Sequence, residues 1–238
     1  MNHNMTIVGM PQSLYYKSKA REVSDTFKFI NSTIKGLAAQ GIYNATSQIL
    51  QNRVVLSWRE KKSWELAQQI YPDYTNLLVP DIAFQIGPYA PARTPEYAVD
   101  VIIFLRKDQE SVNKKYRNST VVQELLNEKG YQNTTFRIVD WGDKNKLFGE
   151  TKRSVENSIK LLSLGKVVIC DRLHASILSY IVGLPFVYLD QVSKKVSSTL
   201  EVAFDTWEGC YDQSASRFAE ATNFSEGLDK AIEMMKLE

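Results

Sequence analysis

The stretch Lys166–Asp190, KVVICDRLHASILSYIVGLPFVYLD, decides how this chain folds. Val167 to Cys170 is a short, apolar, largely β-branched run, the pattern of a strand covered on both faces in a parallel sheet. Asp171 stops it. From Arg172 to Val182 the apolar residues Leu173, Ile177, Leu178 and Ile181 recur at helical spacing, and Gly183 followed by Pro185 ends the helix. A second apolar strand, Phe186 to Leu189, comes next. The stretch is therefore a strand, helix, strand unit. His174, the histidine that lies inside the chain rather than near its start, belongs to an Asp-Arg-x-His cluster at the first strand's carboxyl end, where open α/β sheets bind ligands.

The same alternation recurs outward from this unit. Val54 to Leu56 leads to Arg59 and Glu60, and Leu77 to Val79 leads through Pro80 to Asp81. Val101 to Leu105 leads to Arg106 and Asp108, and Ile138-Val139 leads to Asp140. Helical stretches are expected at Ser24–Gln40, Ser63–Ile70, Thr120–Lys129, Ser154–Leu164 and Ser225–Lys236. Strands alternating with helices imply βαβ units and mostly parallel, Rossmann-like sheets, an α/β fold. The proline-rich segment 87–95 interrupts the pattern and reads as a linker. The division is then residues 1–90, a remainder of an N-terminal Rossmann-like domain; a linker at 91–95; and 96–238, a C-terminal Rossmann-like domain carrying the Asp-Arg-Leu-His cluster. The first part is short for a domain, so an N-terminal portion is expected to be missing and Met1 to be an internal methionine.

Composition narrows the function classes. A chain of 238 residues with 44% hydrophobic residues has ample material for a core, and its net charge of +2 comes from interleaved bases and acids. That pattern argues against nucleic-acid binding. Two cysteines, Cys170 and Cys210, form no Cys-x-x-Cys pair, so neither a zinc site nor a disulfide framework is indicated. Cys170 is expected to pack at a strand end. No window has the length and apolarity of a transmembrane helix, and the first residues lack a signal peptide's pattern. Six Asn-x-Ser/Thr sequons, at Asn4, Asn31, Asn44, Asn118, Asn133 and Asn223, favour a secretory or Golgi lumen over the cytoplasm.

These landmarks, taken in order, carry a family resemblance. Val167 to Asp190, with Asp-Arg-Leu-His-Ala and Gly-x-Pro, resembles the signature of the polysaccharide pyruvyltransferases. Met10-Pro11-Gln12-Ser13, Trp58-Arg59-Glu60 with Ser63-Trp64, Val79-Pro80-Asp81-Ile82-Ala83-Phe84 and Leu105-Arg106-x-Asp108-x-Glu110 resemble further family elements. Two departures stand out. The family's leading Gly-Gly-Gly-Asn turn is absent, and where the family tends to carry Asn-Ser-Tyr-Gly-Lys after the aspartate at Asp190, this chain has Gln191-Val192-Ser193-Lys194-Lys195. The resemblance implies two Rossmann-like domains facing a cleft, a glycosyltransferase-B-like architecture with its N-terminal domain incomplete.

The resemblance also implies transfer of the pyruvyl unit of phosphoenolpyruvate to two hydroxyls of a sugar in a glycan, forming a ketal and releasing phosphate, with no metal or redox cofactor. Such chemistry needs a proton carrier near neutral pH, which imidazole can supply, and cations for the donor's phosphate and carboxylate. His174 is the candidate acid-base group. Asp171 is expected at or next to the helix N-cap, where it either caps a backbone N–H or orients His174 from spacing i, i+3. Arg172, Arg59, Arg106 and Lys195 are the candidate donor ligands, since a guanidinium forks onto phosphate or carboxylate. The competing expectation pairs Arg59 with Glu60 and Arg106 with Asp108 at the surface, and makes Asp81 and Asp140 turn or capping residues. The four tryptophans are expected to pack in core or rim. Two other function classes stay open: a nucleotide-sugar glycosyltransferase of similar fold, disfavoured by the lack of a Gly-rich phosphate loop, and a non-catalytic glycan-binding fragment.

Overall fold

Parallel pairing organises both sheets in the computed structural model, which describes residues 6–9, 54–89, 97–107, 111–141, 151–190, 194–206 and 218–236. The helix expected at 24–40, the Pro-Gln-Ser segment, most of the proline-rich linker, Asp108, Glu110, Trp207 and Cys210 lie outside the described residues. Two compact units divide the chain, one of Met1–Asp81 with Glu201–Thr206 and one of Ile82–Leu200 with Trp207–Glu238.

In the first unit, Thr6–Gly9 (β1), Val54–Trp58 (β2) and Thr75–Leu78 (β3) form a three-stranded sheet in the order β1-β2-β3. Both pairs are parallel, and Lys61–Ile70 (α1) supplies the crossover that parallel neighbours β2 and β3 require. Leu56 and Trp58 from β2 pack with Ala67 and Tyr71. Trp58 is core rather than rim: its ring stacks on Tyr71 at 6.5 Å, and its indole N–H donates to Asn76 Oδ1 at 2.8 Å. That bond satisfies a polar group whose burial would otherwise be costly.

The second unit holds five parallel strands: Val99–Phe104 (β4), Phe136–Val139 (β5), Gly165–Cys170 (β6), Phe186–Leu189 (β7) and Phe218–Ala221 (β8). Their spatial order is β5-β4-β6-β7-β8. Helices Ser119–Glu128 (α2), Thr151–Leu162 (α3), Leu173–Ile181 (α4), Lys195–Thr206 (α5) and Phe224–Lys236 (α6) alternate with them. Residues alternate faces along a strand, and here both faces are covered. Val101, Ile103, Val167, Ile169, Val187 and Leu189 meet Val122 and Leu126 of α2 and Phe224, Leu228 and Ala231 of α6. Ile102, Phe104, Val168, Cys170 and Phe186, on the opposite face, are fully buried too. Such two-sided burial is why these strands read as continuous apolar runs.

Two glycines are required by geometry. Gly183, at φ +68°, takes the left-handed conformation that closes α4: its N–H donates to Tyr180 O at 3.0 Å, and Leu184 N–H reaches Ser179 O at 2.9 Å. Gly165 starts β6 against β4, where a Cβ would stand 2.8 Å from Ile102 Cγ1 and 2.9 Å from its backbone nitrogen.

The helices expected within the described residues are found with ends shifted by a few residues, and α5 and β8 are elements that the sequence does not announce. Among the described residues no helix is long and apolar enough to cross a membrane. Of the described sequons, Asn118 caps α2 by accepting from Thr120 N–H at 3.0 Å and Asn223 accepts from Glu226 N–H at 3.0 Å, while Asn133 is exposed on the turn before β5.

Candidate functional site

The order β5-β4-β6-β7-β8 contains a reversal. The chain leaves β4 for β5 on one side, then crosses to β6 on β4's other flank and continues outward through β7 and β8. Connections diverge between β4 and β6, which makes their carboxyl ends the topological switch point, where doubly wound sheets leave a crevice for ligands. The turn after β6 is Asp171-Arg172-Leu173-His174, and the turn after β4 carries Arg106. The fold thus brings four of the six sequence-derived candidates to one place.

Asp171 is 2% exposed, and its Oδ1 accepts the Arg106 backbone N–H at 2.7 Å. Burial pushes its carboxyl up to about 6, against the lowering pull of the Arg106 N–H, the nearby Arg172 and Arg106 charges and the Asn113 side chain. Asp171 lies next to the N-cap of α4, as expected: the N-cap residue is Arg172, in extended backbone with φ −111° and ψ 124°, whose own side chain makes no capping hydrogen bond. The carboxylate serves the β4 turn because that turn's backbone N–H lies across the sheet from it and would otherwise be buried unpaired.

Arg172 reaches past the end of β4 to Asp140, the residue after β5. Its Nε donates to Oδ1 at 2.9 Å and its Nη2 to Oδ2 at 3.0 Å, a two-point fork. The Asp140 side chain is fully buried and the Arg172 side chain 21% exposed. Asp140 also accepts Trp141 N–H on Oδ1 at 2.9 Å and Lys107 N–H on Oδ2 at 3.2 Å. Trp141 lies against Phe104 of β4, ring centres 4.2 Å apart, which fixes the end of β5. Asp140, expected as a turn or capping residue, does accept the next residue's N–H, and it is also the buried counter-ion of Arg172, a pairing that depends on strand order rather than on spacing in the chain.

His174 sits in the first turn of α4 with an exposed side chain, and Arg106 is half-buried beyond β4. Lys195 is half-buried at the first turn of α5, after β7, the next strand outward. Asp190 caps that helix: it accepts Val196 N–H at 3.0 Å, Ser197 N–H at 3.1 Å and the Ser197 hydroxyl. Lys194, just before the helix, holds a left-handed backbone at φ 46°. Cys170 behaves as expected of a packed strand end: it is buried, 3.1 Å from Ser176 Oγ, and burial raises its thiol to about 12.

Arg59 belongs to the other unit, just past β2, and there the expected pairing changes. Its Nη1 bonds Asp81, itself 4% exposed, rather than Glu60. Glu60 is buried and accepts from Ser63 Oγ at 3.0 Å. Arg59 Nε and Glu60 Oε1 are buried without a hydrogen-bond partner among the described residues. Among those same residues, no cluster of three or more His, Cys, Asp or Glu side chains is arranged to hold a metal ion.

Residues 37–191 match the family model described as polysaccharide pyruvyl transferase, a span that includes both arginine-aspartate pairs and the whole Asp-Arg-Leu-His turn. Pyruvyl transferase 1 of Schizosaccharomyces pombe is 29% identical over 149 residues, covering 58% of this chain and 36% of that protein. The chain spans about a third of the length of that curated relative. With the match extending over more than half of its residues, the chain belongs to the polysaccharide pyruvyl transferase family.

Proposed function

We propose that this chain carries the donor-handling part of a transferase that moves the pyruvyl group of phosphoenolpyruvate onto two hydroxyls of one sugar residue in a glycan. The observation that carries the reading is the Asp171-Arg172-Leu173-His174 turn at the β4/β6 switch point, inside the family-matched span. Transfer begins with a proton added to carbon 3 of the donor and attack of a first sugar hydroxyl at carbon 2. Phosphate then leaves with the electron pair of its bond to carbon 2. The second hydroxyl closes the ketal ring, and the two hydroxyl protons end on carbon 3 and on phosphate. No electrons are exchanged with a redox group in this sequence.

His174 moves those protons in this reading, supported by its exposure in the first turn of α4 and by the ability of imidazole both to donate and to accept near neutral pH. Asp171 sets the turn's shape through the Arg106 N–H, and Arg172 and Arg106 supply positive charge beside it. The N-terminus of α4 adds its own preference for an anion. Lys195, after β7, is a further proposed donor ligand, and Arg59 is proposed as one within its own unit. A place in the secretory pathway, favoured by the sequons, belongs to the same proposal.

Phosphorus NMR of phosphoenolpyruvate with a β-galactoside tests it. Phosphate should appear only with acceptor present, and His174→Ala should cut the rate at least about 100-fold while the protein stays folded, the scale of positioned acid-base catalysis. Full turnover by His174→Ala would remove His174 from the chemistry. A donor signal that neither broadens nor converts with wild-type protein would remove phosphoenolpyruvate, and nucleotide-sugar donors would be tried next.

A further inference from the structure

We propose that Asp140 is the positioning residue for Arg172, holding its guanidinium in the orientation that meets the donor; this rests on the reading of Arg172 as a donor ligand. Each Asp140 oxygen accepts one guanidinium N–H and one backbone N–H: Oδ1 takes Arg172 Nε and Trp141 N, and Oδ2 takes Arg172 Nη2 and Lys107 N. The two amides come from the ends of adjacent strands, β5 and β4, so the carboxylate plane is fixed before the arginine arrives. A fork accepted by a fixed plane is fixed in turn. Arg172 itself starts from the end of β6, on the far side of β4. Its long stem would otherwise sample many rotamers, and ordering it on binding would weaken affinity.

The chemistry demands aspartate. Asparagine would turn an N–H₂ toward one guanidinium N–H and one amide N–H, setting donor against donor. Glutamate keeps the charge but carries the carboxylate one methylene further, off the plane that the amides define. A partner that acts only by orienting a substrate-binding group contributes equally before and at the transition state, so its loss raises KM and spares kcat. A purely structural brace would lower the amount of folded protein without that split.

Two measurements on the full chain decide the matter. The first follows solvent exchange of the Arg172 Nε–H by proton–nitrogen NMR in the absence of donor. It should be slow in wild type and fast in Asp140→Asn and Asp140→Glu. Fast exchange in the wild type overturns the proposal, even if neither variant folds. The second titrates phosphoenolpyruvate and follows initial rates. Asp140→Asn should weaken donor binding by about tenfold or more, the worth of a hydrogen bond to a charged group, and leave kcat within about twofold. Asp140→Glu should fall between it and wild type. In the background of Arg172→Ala, adding Asp140→Asn should cost nothing further, because the two act as one unit. Wild-type donor affinity in both Asp140 variants, with binding lost in Arg172→Ala, overturns the positioning role and leaves the donor reading intact. Unchanged affinity in Arg172→Ala overturns the donor reading instead, while the exchange measurement still decides whether Asp140 orients the arginine.

Discussion

Arg59 and Arg172 occupy equivalent places, each just beyond the carboxyl end of a strand that is flanked on both sides, and each is paired with a buried aspartate. They are held differently. Arg59 meets Asp81 through Nη1, and its Nε has no partner among the described residues. Arg172 gives both Nε and Nη2 to Asp140, which backbone amides hold on two sides. The contrast separates two uses of one residue type. A forked arginine is oriented in advance, whereas one held at a single point leaves a buried N–H unsatisfied at some cost to the fold.

Truncating the aspartates should give the largest effect and the plainest test of that contrast. Asp140→Ala strands a partly buried guanidinium and two backbone N–H groups and should destabilise the fold by about 3–5 kcal/mol in urea unfolding. Asp81→Ala removes a single-point partner and should cost about 1–3 kcal/mol. Equal losses at the two sites would erase the distinction between fork and single contact.

Asp171 tests the same region from its other side. Its carboxyl, ordinarily at 3.8, is raised to about 6 in the folded protein. Between those values the unfolded chain releases its proton while the folded one keeps it. Stability therefore falls as pH rises through that window and levels off above it, by about 3 kcal/mol in total. Asp171→Asn keeps an oxygen for the Arg106 N–H and should abolish that slope in melts taken from pH 3.5 to 7, leaving the variant more stable at neutral pH. A slope unchanged in Asp171→Asn would mean that burial of Asp171 is not its cause.

The smallest change is a control that touches neither arginine. Lys194 holds φ 46°, a conformation costly to residues with a Cβ, at the position where family members tend to carry glycine. Lys194→Gly should stabilise by about 1 kcal/mol through the backbone alone. Destabilisation there would show that the lysine side chain supports the turn after β7.

Much of this was legible in the chain. β2, β4, β6 and β7 announced themselves because burial on both faces leaves no polar alternation, and α4 ended where Gly183 and Pro185 said it would. β8 did not, because Phe218-Ala219-Glu220-Ala221 is short, with small residues and a glutamate, as suits a strand at the sheet's edge. At the site, Asp171, Arg172 and His174 were visible together because they are neighbours in sequence. The Arg172–Asp140 pair, 32 positions apart, was not, since β5 reaches β6 only by way of β4. Asp171's true partner was hidden for the same reason: Arg106 lies 65 positions away and contributes a backbone N–H, a group no residue type advertises.

Gly165 stands at the amino end of β6, the far end of the strand from Asp171, with no room for even a methyl group beside Ile102. Inherited changes at the two ends of this one strand should therefore present differently. On the proposed function, a lesion at exposed His174 would leave cells with normal amounts of a protein detectable by antibody but not by assay. A lesion at Gly165 would leave little protein to detect.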